Sequence, residues 1–188
     1  FKVKLGTPKD EETIFSVRQA ARDVIIRVDA NASWDLKTAM KMVKVLEDNN
    51  VEFVEQPLAQ NNIKDLKFLR EYTTIPLIVD ESCVVPEDII RLNGLVDGIN
   101  IKLSKCGGIT NALRMVNTAR ACGMKVMVGC FIESSLGIAA ASLIASQADY
   151  VDLDGCLLLK EDPFNIIEFD KCNMKIKDIP GIAPDKLF

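Results

Sequence analysis

The stretch VIIRVDAN, residues 24–31, has the β-branched composition of a strand and carries a carboxylate, Asp29, near its end. The chain repeats this arrangement at 51–57 (VEFVEQP) and at 75–82 (IPLIVDES). Stretches with the apolar periodicity of a helix lie between these strands, so one repeat is a strand followed by a helix. Such repeats predict a parallel sheet. A charged residue lies near the end of each of five successive strands, at intervals of 25, 26, 25 and 22 residues: Lys4, Asp29, Glu55, Asp80 and Lys102.

The same patterns predict seven strands and six helices along most of the chain. The strands are Lys2–Leu5, Val24–Ala30, Val51–Gln56, Leu77–Asp80, Gly98–Leu103, Lys125–Gly129 and Tyr150–Asp154. The helices are Asp10–Arg22, Asp35–Asp48, Ile63–Tyr72, Pro86–Leu92, Ile109–Ala121 and Leu136–Ser146. Ser33 is a capping signal before the second helix, and Gly123 follows the fifth. From Pro163 the alternation stops, and Lys175–Pro180 suggests a last hairpin or strand.

The composition favours one globular domain that acts on a small molecule. The chain has 188 residues, 48% of them hydrophobic, and a net charge of -4 with no basic block, so we expect neither a nucleic-acid nor a membrane partner. It contains no histidine, which excludes histidine-based triads and histidine-bound zinc. Its six cysteines form no CxxC pair and no apolar stretch is long enough to span a bilayer, which predicts a cytoplasmic protein.

The charged strand ends indicate an active site. Residues two apart in a strand share a face, so the charges would line the mouth of a barrel if the repeats close into one. Singly, each carboxylate could be a cap or a surface group, and Lys2 with Lys4 could protect an edge strand. Clustered carboxylates repel each other, and a divalent cation would relieve this. Because all the ligands are oxygen, we expect Mg²⁺, or Mn²⁺, at Asp29, Glu55 and Asp80.

These residues permit proton transfer at a carbon next to a carboxylate. A metal could chelate that carboxylate and stabilise the ene-diolate formed when the proton leaves. Lys2 would disfavour the charged form of Lys4 and so make Lys4 a base. Lys102 would face it across the barrel, which predicts racemisation or epimerisation. Lys105 is the rival of Lys102, but it lies in the following loop.

Taken together, the motifs resemble the muconate-lactonizing branch of the enolase superfamily. They are KVK at Lys2–Lys4, VDAN at Val28–Asn31, VEQP at Val54–Pro57, VDES at Val79–Ser82, NIKLSKCGG at Asn100–Gly108 and GCFIESSLG at Gly129–Gly137. The resemblance implies an α/β fold, a (β/α) TIM-type barrel. It also implies that Lys4 and Lys102 are the acid/base pair with Lys2 as the partner of Lys4, and that the three carboxylates bind Mg²⁺.

Within that branch, the DLD at Asp152–Asp154, with Cys130 and Glu133, is similar to the dipeptide epimerases. This similarity implies that Asp152 and Asp154 bind the free ammonium group of a dipeptide whose carboxylate reaches the metal. It suggests L-Ala-D/L-Glu, a fragment of cell-wall peptide, as the substrate. Arg27 would face inward and hold a substrate or ligand carboxylate, or else form a structural ion pair.

The N-terminal region departs from the family pattern. Members carry a capping domain and a first βα unit, whereas this sequence starts at what resembles the second strand. We therefore expect an incomplete barrel of about seven strands over residues 1–160. The tail, 161–188, would pack on the barrel or on the absent cap. The open edges of the incomplete barrel would be the strands Lys2–Leu5 and Tyr150–Asp154. We also expect turnover by this chain alone to be very low.

Other functions remain open at this point. On the same scaffold, the chain could be a cycloisomerase, an o-succinylbenzoate synthase or an N-acylamino acid racemase, whose substrates lack a free ammonium group. It could also be a catalytically inert metal-binding fragment. A homo-oligomer is possible in each case.

Overall fold

The computed structural model describes residues 1–170 and 173–177. The strands are β1 Lys2–Lys4, β2 Ile26–Asp29, β3 Val51–Glu55, β4 Leu77–Val79, β5 Gly98–Ile101, β6 Lys125–Gly129, β7 Tyr150–Asp152, β8 Ile167–Asp170 and β9 Asn173–Ile176. The helices are α1 Asp10–Ala20, α2 Leu36–Asp48, α3 Ile63–Tyr72, α4 Pro86–Leu92, α5 Leu103–Cys106, α6 Ile109–Ala121 and α7 Ser135–Ala145. A 3₁₀ turn at Gly155–Leu158 follows β7.

The first seven strands form one sheet in chain order, and every neighbouring pair is parallel. The sheet curls until its two edges approach each other. Lys2 on β1 donates a hydrogen bond to Asp152 on β7 at 2.7 Å, and the rings of Phe53 on β3 and Tyr150 on β7 are 4.8 Å apart. This is an incomplete (β/α) barrel, which confirms the predicted fold class. The carboxyl ends of all seven strands therefore meet at one mouth.

Both faces of the sheet are covered, and this explains why its strands are almost continuously apolar. The outer face packs against the helices in the larger core, through residues such as Val28, Val54 and Ile99. Inside the barrel, Phe53, Ile78 and Met127 form a second, smaller core. Each large side chain buried in this way contributes about 1.5–3 kcal/mol to folding. These three side chains fill part of the barrel interior below the mouth.

Local chemistry shifts several element ends from the predicted positions. Asp35 is the N-cap of α2, because its Oδ1 accepts a hydrogen bond from the N–H of Thr38 at 2.7 Å. The prediction that Ser33 provides this cap was wrong, since the Ser33 hydroxyl donates to the carbonyl of Ala30 instead. The strand predicted to reach Leu103 ends at Ile101, and the short helix α5 follows it.

The described part of the tail contacts the start of α7. Asp162 accepts a hydrogen bond from the N–H of Ser135 at 2.9 Å, where a carboxylate also suits the helix dipole. The Ser135 hydroxyl accepts one from the N–H of Ile166. Strands β8 and β9 then form an antiparallel hairpin, as expected for this region, although residues 178–180 of the predicted segment lie outside the described residues. Among the helices of the described chain, none combines the length and apolarity needed to cross a bilayer.

Glu47 at the end of α2 fixes the turn that leads into β4. One of its carboxylate oxygens accepts hydrogen bonds from the Thr74 N–H at 3.0 Å, the Thr74 hydroxyl at 3.1 Å and the Thr73 hydroxyl at 2.9 Å. Lys44 donates to the other oxygen. The Thr74 N–H bond and these side-chain bonds outweigh partial burial and lower the pKa of Glu47 to about 2.

We expect Glu47→Gln to lower the free energy of unfolding by about 1 kcal/mol at pH 7, because a neutral amide accepts these hydrogen bonds less strongly. The folded-state pKa of Glu47 lies below its ordinary value of 4.5, so its contribution is present above pH 4.5 and is lost as the pH falls toward 2. Urea titrations at pH 7 and pH 3 should therefore show a smaller difference between wild type and variant at pH 3. Glu71→Gln, at an exposed position on α3, is the control. A difference that is independent of pH would contradict this assignment.

Candidate functional site

A cavity of about 370 Å³ lies at the mouth of the barrel. Each parallel strand delivers its last residue to this end, so residues far apart in sequence meet here. The predicted site residues that line the cavity are Lys2, Lys4, Asp80, Lys102, Cys130, Asp152 and Asp154. Asp29 and Glu55 lie beneath them, almost fully buried. The structure thus brings together nine of the eleven residues proposed from the sequence.

Lys2 is surrounded by carboxylates from three strands. Its Nζ lies 2.7 Å from Glu55 Oε2, 2.7 Å from Asp152 Oδ2 and 3.4 Å from Asp29 Oδ2. Burial alone would lower the pKa of Lys2, but the charges of Glu55, Asp152 and Asp29 outweigh it and raise the pKa. Burial raises the pKa of Glu55, although the Lys2 charge opposes this. Lys2 is therefore a cation held inside an acidic cluster.

Lys4 lies at the edge of the same cluster. Its Nζ donates a hydrogen bond to Asp29 Oδ2 at 2.6 Å, and 62% of its side chain is exposed to the cavity and solvent. The same oxygen of Asp29 also faces Lys2. A carboxylate thus contacts both ammonium groups, so the expected direct repulsion of Lys4 by Lys2 is screened in this structure. Among the four lysines that line the cavity, Lys4 has the most exposed side chain. The exposed fraction is 62% for Lys4, against 15% for Lys2, 10% for Lys102 and 12% for Lys105.

Asp80, on the other side of the mouth, binds two lysines. Lys102 Nζ lies 2.6 Å from Asp80 Oδ2, and Lys105 binds the second carboxylate oxygen and the Asp80 carbonyl. Burial would lower the pKa of Lys102, but its hydrogen bond to Asp80 and the charge of that carboxylate raise it. Burial would raise the pKa of Asp80, but Lys105 and Lys102 hold it below its usual range. Both rival lysines therefore reach the same carboxylate.

Two contacts separate the roles of these lysines. Lys105 also donates to the carbonyl of Asn100 at 3.2 Å, so it joins the ends of β4 and β5. Lys102 instead places its Nζ 4.5 Å from the centroid of the Phe131 ring, which lies on the cavity wall. This geometry favours Lys102 as the group that faces a ligand and Lys105 as a support.

The proposed metal ligands supply the right donor chemistry but are engaged with lysines. In the described residues, no three acidic, cysteine or histidine side chains converge closely enough to hold a metal ion as they stand. Glu55 Oε2 is buried and accepts no hydrogen bond from the described residues, since Lys2 approaches it as a close ion pair outside hydrogen-bond geometry. A buried carboxylate oxygen without a hydrogen bond, in a cavity that also receives Asp29 and Asp80 from the neighbouring strands, has donor chemistry that suits a hard cation such as Mg²⁺. Binding would require the ammonium groups to move off these oxygens.

At the β6 and β7 end of the cavity, the two aspartates differ. Asp152 is engaged by Lys2, whereas Asp154 is exposed and has no ion pair among the described residues. The Cys130 Sγ contacts the Asp152 carbonyl at 3.3 Å. Burial raises the pKa of this thiol to about 11, so Cys130 is a neutral wall residue near neutral pH.

Two residues proposed for substrate binding lie outside the cavity lining. Arg27 donates to Glu52 at 2.6 Å and places its guanidinium 5.4 Å from the Phe53 ring and 5.0 Å from the Tyr150 ring. It shares a face with Asp29 but lies two residues deeper, and its contact with Glu52 is the ion pair that the alternative interpretation from the sequence expects. Glu133 accepts a hydrogen bond from the N–H of Phe131 at 3.2 Å and supports the loop after β6.

Sequence reasoning missed three polar residues that support the site. Asn100 donates to Glu55 Oε1 at 2.7 Å and orients that carboxylate. Gln56 accepts hydrogen bonds from the N–H groups of Asp80 and Ser82, which ties the end of β3 to the loop after β4. Glu81 lines the cavity and carries a buried Oε2 that has no hydrogen-bond partner in the described part of the chain. Buried polar residues at strand ends are the signal that could have revealed the first two.

Comparison with known proteins finds one family, whose similar members include several dipeptide epimerases and one racemase of an N-acetylated amino acid. The family model described as enolase C-terminal domain-like matches residues 1–182. A hydrophobic dipeptide epimerase of Roseobacter litoralis is 44% identical over 96% of this chain and 54% of its own length. An L-Ala-D/L-Glu epimerase of Bacteroides thetaiotaomicron is 39% identical over 99% of the chain and 49% of its own length.

Solved structures agree with these relatives. A dipeptide epimerase from Cytophaga hutchinsonii, complexed with Mg and the dipeptide D-Ala-L-Val, superimposes with a TM-score of 0.91 at 35% identity. The match covers 100% of this chain and 54% of that one. The chain therefore spans about half the length of the proteins it matches.

Proposed function

The chain belongs to the enolase C-terminal domain-like family, and from this premise we propose that it carries the proton-transfer site of a dipeptide epimerase. The reaction would remove and return the α-proton of the residue that bears the dipeptide carboxylate, inverting that carbon. Its similar relatives are named as epimerases and, in one case, as a racemase, and all of these are isomerases acting on amino acid derivatives. The substrate would be a dipeptide, and L-Ala-D/L-Glu is one member of that class.

The observation that carries this proposal is the pair Lys4 and Lys102 in one cavity. Lys4 ends β1 and Lys102 directly follows β5, with three strands between them, so the two lysines approach a bound ligand from different sides. One lysine, as the free amine, would accept the α-proton while the C–H electron pair stays on the substrate. The other, as the ammonium, would donate a proton to the opposite face of the carbon. The two transfers balance, and no oxidant or reductant is needed.

The proposed metal ligands would hold the carboxylate end of the substrate through a cation. Asp29, Glu55 and Asp80 are the residues that would bind Mg²⁺, and Mn²⁺ has the same preference for oxygen ligands. When bound, the cation would stabilise negative charge on the substrate carboxylate. Asn100 would keep Glu55 oriented, and Lys105 would keep Asp80 in place. Residues 1–160 supply all of these groups, so we assign the catalytic unit to that part of the chain.

The opposite end of the cavity favours a free ammonium group on the substrate. Asp154 lines the cavity and has no ion pair among the described residues, and such a carboxylate attracts a cation. N-acylamino acids, the substrates of a racemase on this scaffold, have no such cation. The substrate would thus have a carboxylate at one end, near the proposed metal ligands, and an ammonium group at the other end, near Asp154.

We expect Asp154→Asn to reduce activity on a free dipeptide much more than on its N-acetyl derivative. Loss of a charge-assisted hydrogen bond to the ammonium should cost roughly 2–5 kcal/mol of transition-state binding. The measurement is deuterium uptake at the α-carbon in D₂O with Mg²⁺, for L-Ala-L-Glu and N-acetyl-L-Ala-L-Glu. Equal losses on both substrates would indicate a general defect. Higher activity on the acylated compound in wild type would favour the N-acylamino acid racemase.

A further inference from the structure

Gln56, which directly follows Glu55 at the end of β3, is completely buried, and its amide is fully hydrogen-bonded. Its Oε1 accepts hydrogen bonds from the N–H of Asp80 at 3.0 Å and from the N–H of Ser82 at 3.2 Å. Its Nε2 donates to the carbonyl of Leu58 at 2.7 Å and to the hydroxyl of Ser82 at 2.8 Å. Because an amide has two donor hydrogens and an oxygen that accepts two bonds, every bonding position of this side chain is occupied.

These bonds lie where the pairing of β3 with β4 ends. Glu55 and Ile78 are the last paired residues, and the N–H of Gln56 donates to the Ile78 carbonyl at 2.8 Å. Beyond this point the side chain of Gln56, rather than a strand backbone, accepts the hydrogen bond of Asp80. The backbone positions of Glu55 and Asp80 are therefore fixed relative to each other through one amide.

The backbone of Gln56 also contacts the loop after β2. Its carbonyl accepts a hydrogen bond from the N–H of Ala32 at 2.8 Å, three residues after Asp29. The neighbouring carbonyl of Glu55 accepts one from the N–H of Ala30 at 3.0 Å. Gln56 is thus connected to the ends of all three strands that carry the proposed metal ligands.

The backbone conformation of Gln56 is strained. Its φ angle is +37°, in the left-handed region that residues other than glycine rarely adopt. Such conformations persist only where the surrounding structure holds them, and they cluster at active sites and ligand-binding sites. At Gln56 the four hydrogen bonds of the side chain hold the strained backbone directly beside Glu55.

We propose that Gln56 is a positioning residue, which fixes the carboxylates of Glu55 and Asp80 at the spacing that Mg²⁺ requires. This inference rests on the proposed function, because it assumes that these carboxylates bind the cation. Gln56 itself would contact neither the cation nor the dipeptide, since its amide is already bonded within the protein. Loss of a residue that orients metal ligands typically lowers metal affinity by roughly 10–100-fold.

The test compares wild type with Gln56→Asn in this chain. Asparagine keeps the amide and tolerates a positive φ angle, but its side chain is one methylene too short to make the same hydrogen bonds to Asp80 and Ser82. We expect the affinity for Mg²⁺, measured by calorimetric titration, to fall on the order of tenfold. In NMR spectra without metal, the amide protons of Asp80 and Ser82 should exchange with D₂O faster than in wild type.

Gln56→Met is a second variant, which keeps the length of the side chain and fills its space without hydrogen bonds. It should lower the Mg²⁺ affinity by a similar factor. Thr73→Val is the matched control, because Thr73 is also a buried, hydrogen-bonded residue but precedes β4, at the end of that strand away from the mouth. It should lower the urea midpoint of unfolding and keep the Mg²⁺ affinity of wild type. Circular dichroism shows whether each variant is folded.

The inference alone is overturned if folded Gln56 variants bind Mg²⁺ as tightly as wild type, or if Thr73→Val weakens binding equally. Unchanged amide exchange at Asp80 and Ser82 in Gln56→Asn would also contradict it. Loss of folding in both Gln56 variants would assign the residue to stability instead. If wild type bound no Mg²⁺, the proposed function would fail together with this inference.

Discussion

Lys102→Ala should lower the rate of α-proton exchange on the order of a thousandfold for one configuration of the substrate, the range expected when a general base or acid is lost. The reason is the position of Lys102, which is buried beside Asp80 and faces the cavity. Lys4 lies on the other side and is untouched by the change. Exchange from the opposite configuration should therefore persist, although complete epimerisation should stop. The measurement is deuterium uptake from each of two diastereomeric dipeptides, followed separately by NMR.

Lys105→Ala is the matched control for this experiment. Lys105 binds the same carboxylate, but its remaining contacts are to the carbonyls of Asp80 and Asn100. Lys105→Ala should reduce the exchange rates of both configurations by a similar factor, smaller than the loss expected for Lys102→Ala. The reason is that Lys105 affects the placement of Asp80 rather than proton transfer at one face of the substrate. If Lys105→Ala removed exchange from one configuration only, while Lys102→Ala turned over normally, the base would be Lys105.

Asp80→Asn should weaken Mg²⁺ binding at least about tenfold, measured by calorimetric titration. An amide supplies one neutral oxygen where the carboxylate supplies charge, and hard cations bind carboxylates more strongly. The variant also leaves Lys102 and Lys105 without their anionic partner, which adds positive charge beside the proposed metal position. Both effects act in the same direction.

Asp154→Asn is the control, because Asp154 lines the same cavity but is not among the proposed ligands. Its affinity for Mg²⁺ should stay within about twofold of wild type, since a screened charge further away has little effect. Circular dichroism on both variants checks that the barrel is intact. Equal Mg²⁺ affinities for wild type and Asp80→Asn would remove Asp80 from the site.

The strand–helix repeat in the sequence was enough to predict which strand ends meet, because the meeting of strand ends in a parallel sheet follows from simple geometry. Side chains alternate along a strand and parallel strands share one carboxyl end, so Asp29, Glu55 and Asp80 had to lie at the same mouth. Strand order and helix positions were predictable for the same reason. Helix α5 was not, because four residues are too few to show a helical period.

The interior contacts were harder to predict, since they depend on how deep and how far each side chain reaches. Arg27 shares the face of Asp29, but its long side chain meets Glu52 and two aromatic rings below the mouth. The pairing of Lys2 with Asp152 depends on the curl of the whole sheet, which no local pattern encodes. Gln56 joins two strand ends through hydrogen bonds that a sequence does not display.

The central claim is that lysines on two sides of one cavity transfer the α-proton of a dipeptide with the help of Mg²⁺. It is tested most directly by incubating this chain in D₂O with L-Ala-L-Ala and Mg²⁺ and following the dipeptide by NMR. The account predicts that deuterium enters at the α-carbon of the second residue, that the L-Ala-D-Ala diastereomer appears with it, and that both stop when EDTA is added. Mg²⁺ and dipeptide binding with no exchange over a long incubation would contradict it and would leave a metal-binding protein without catalysis.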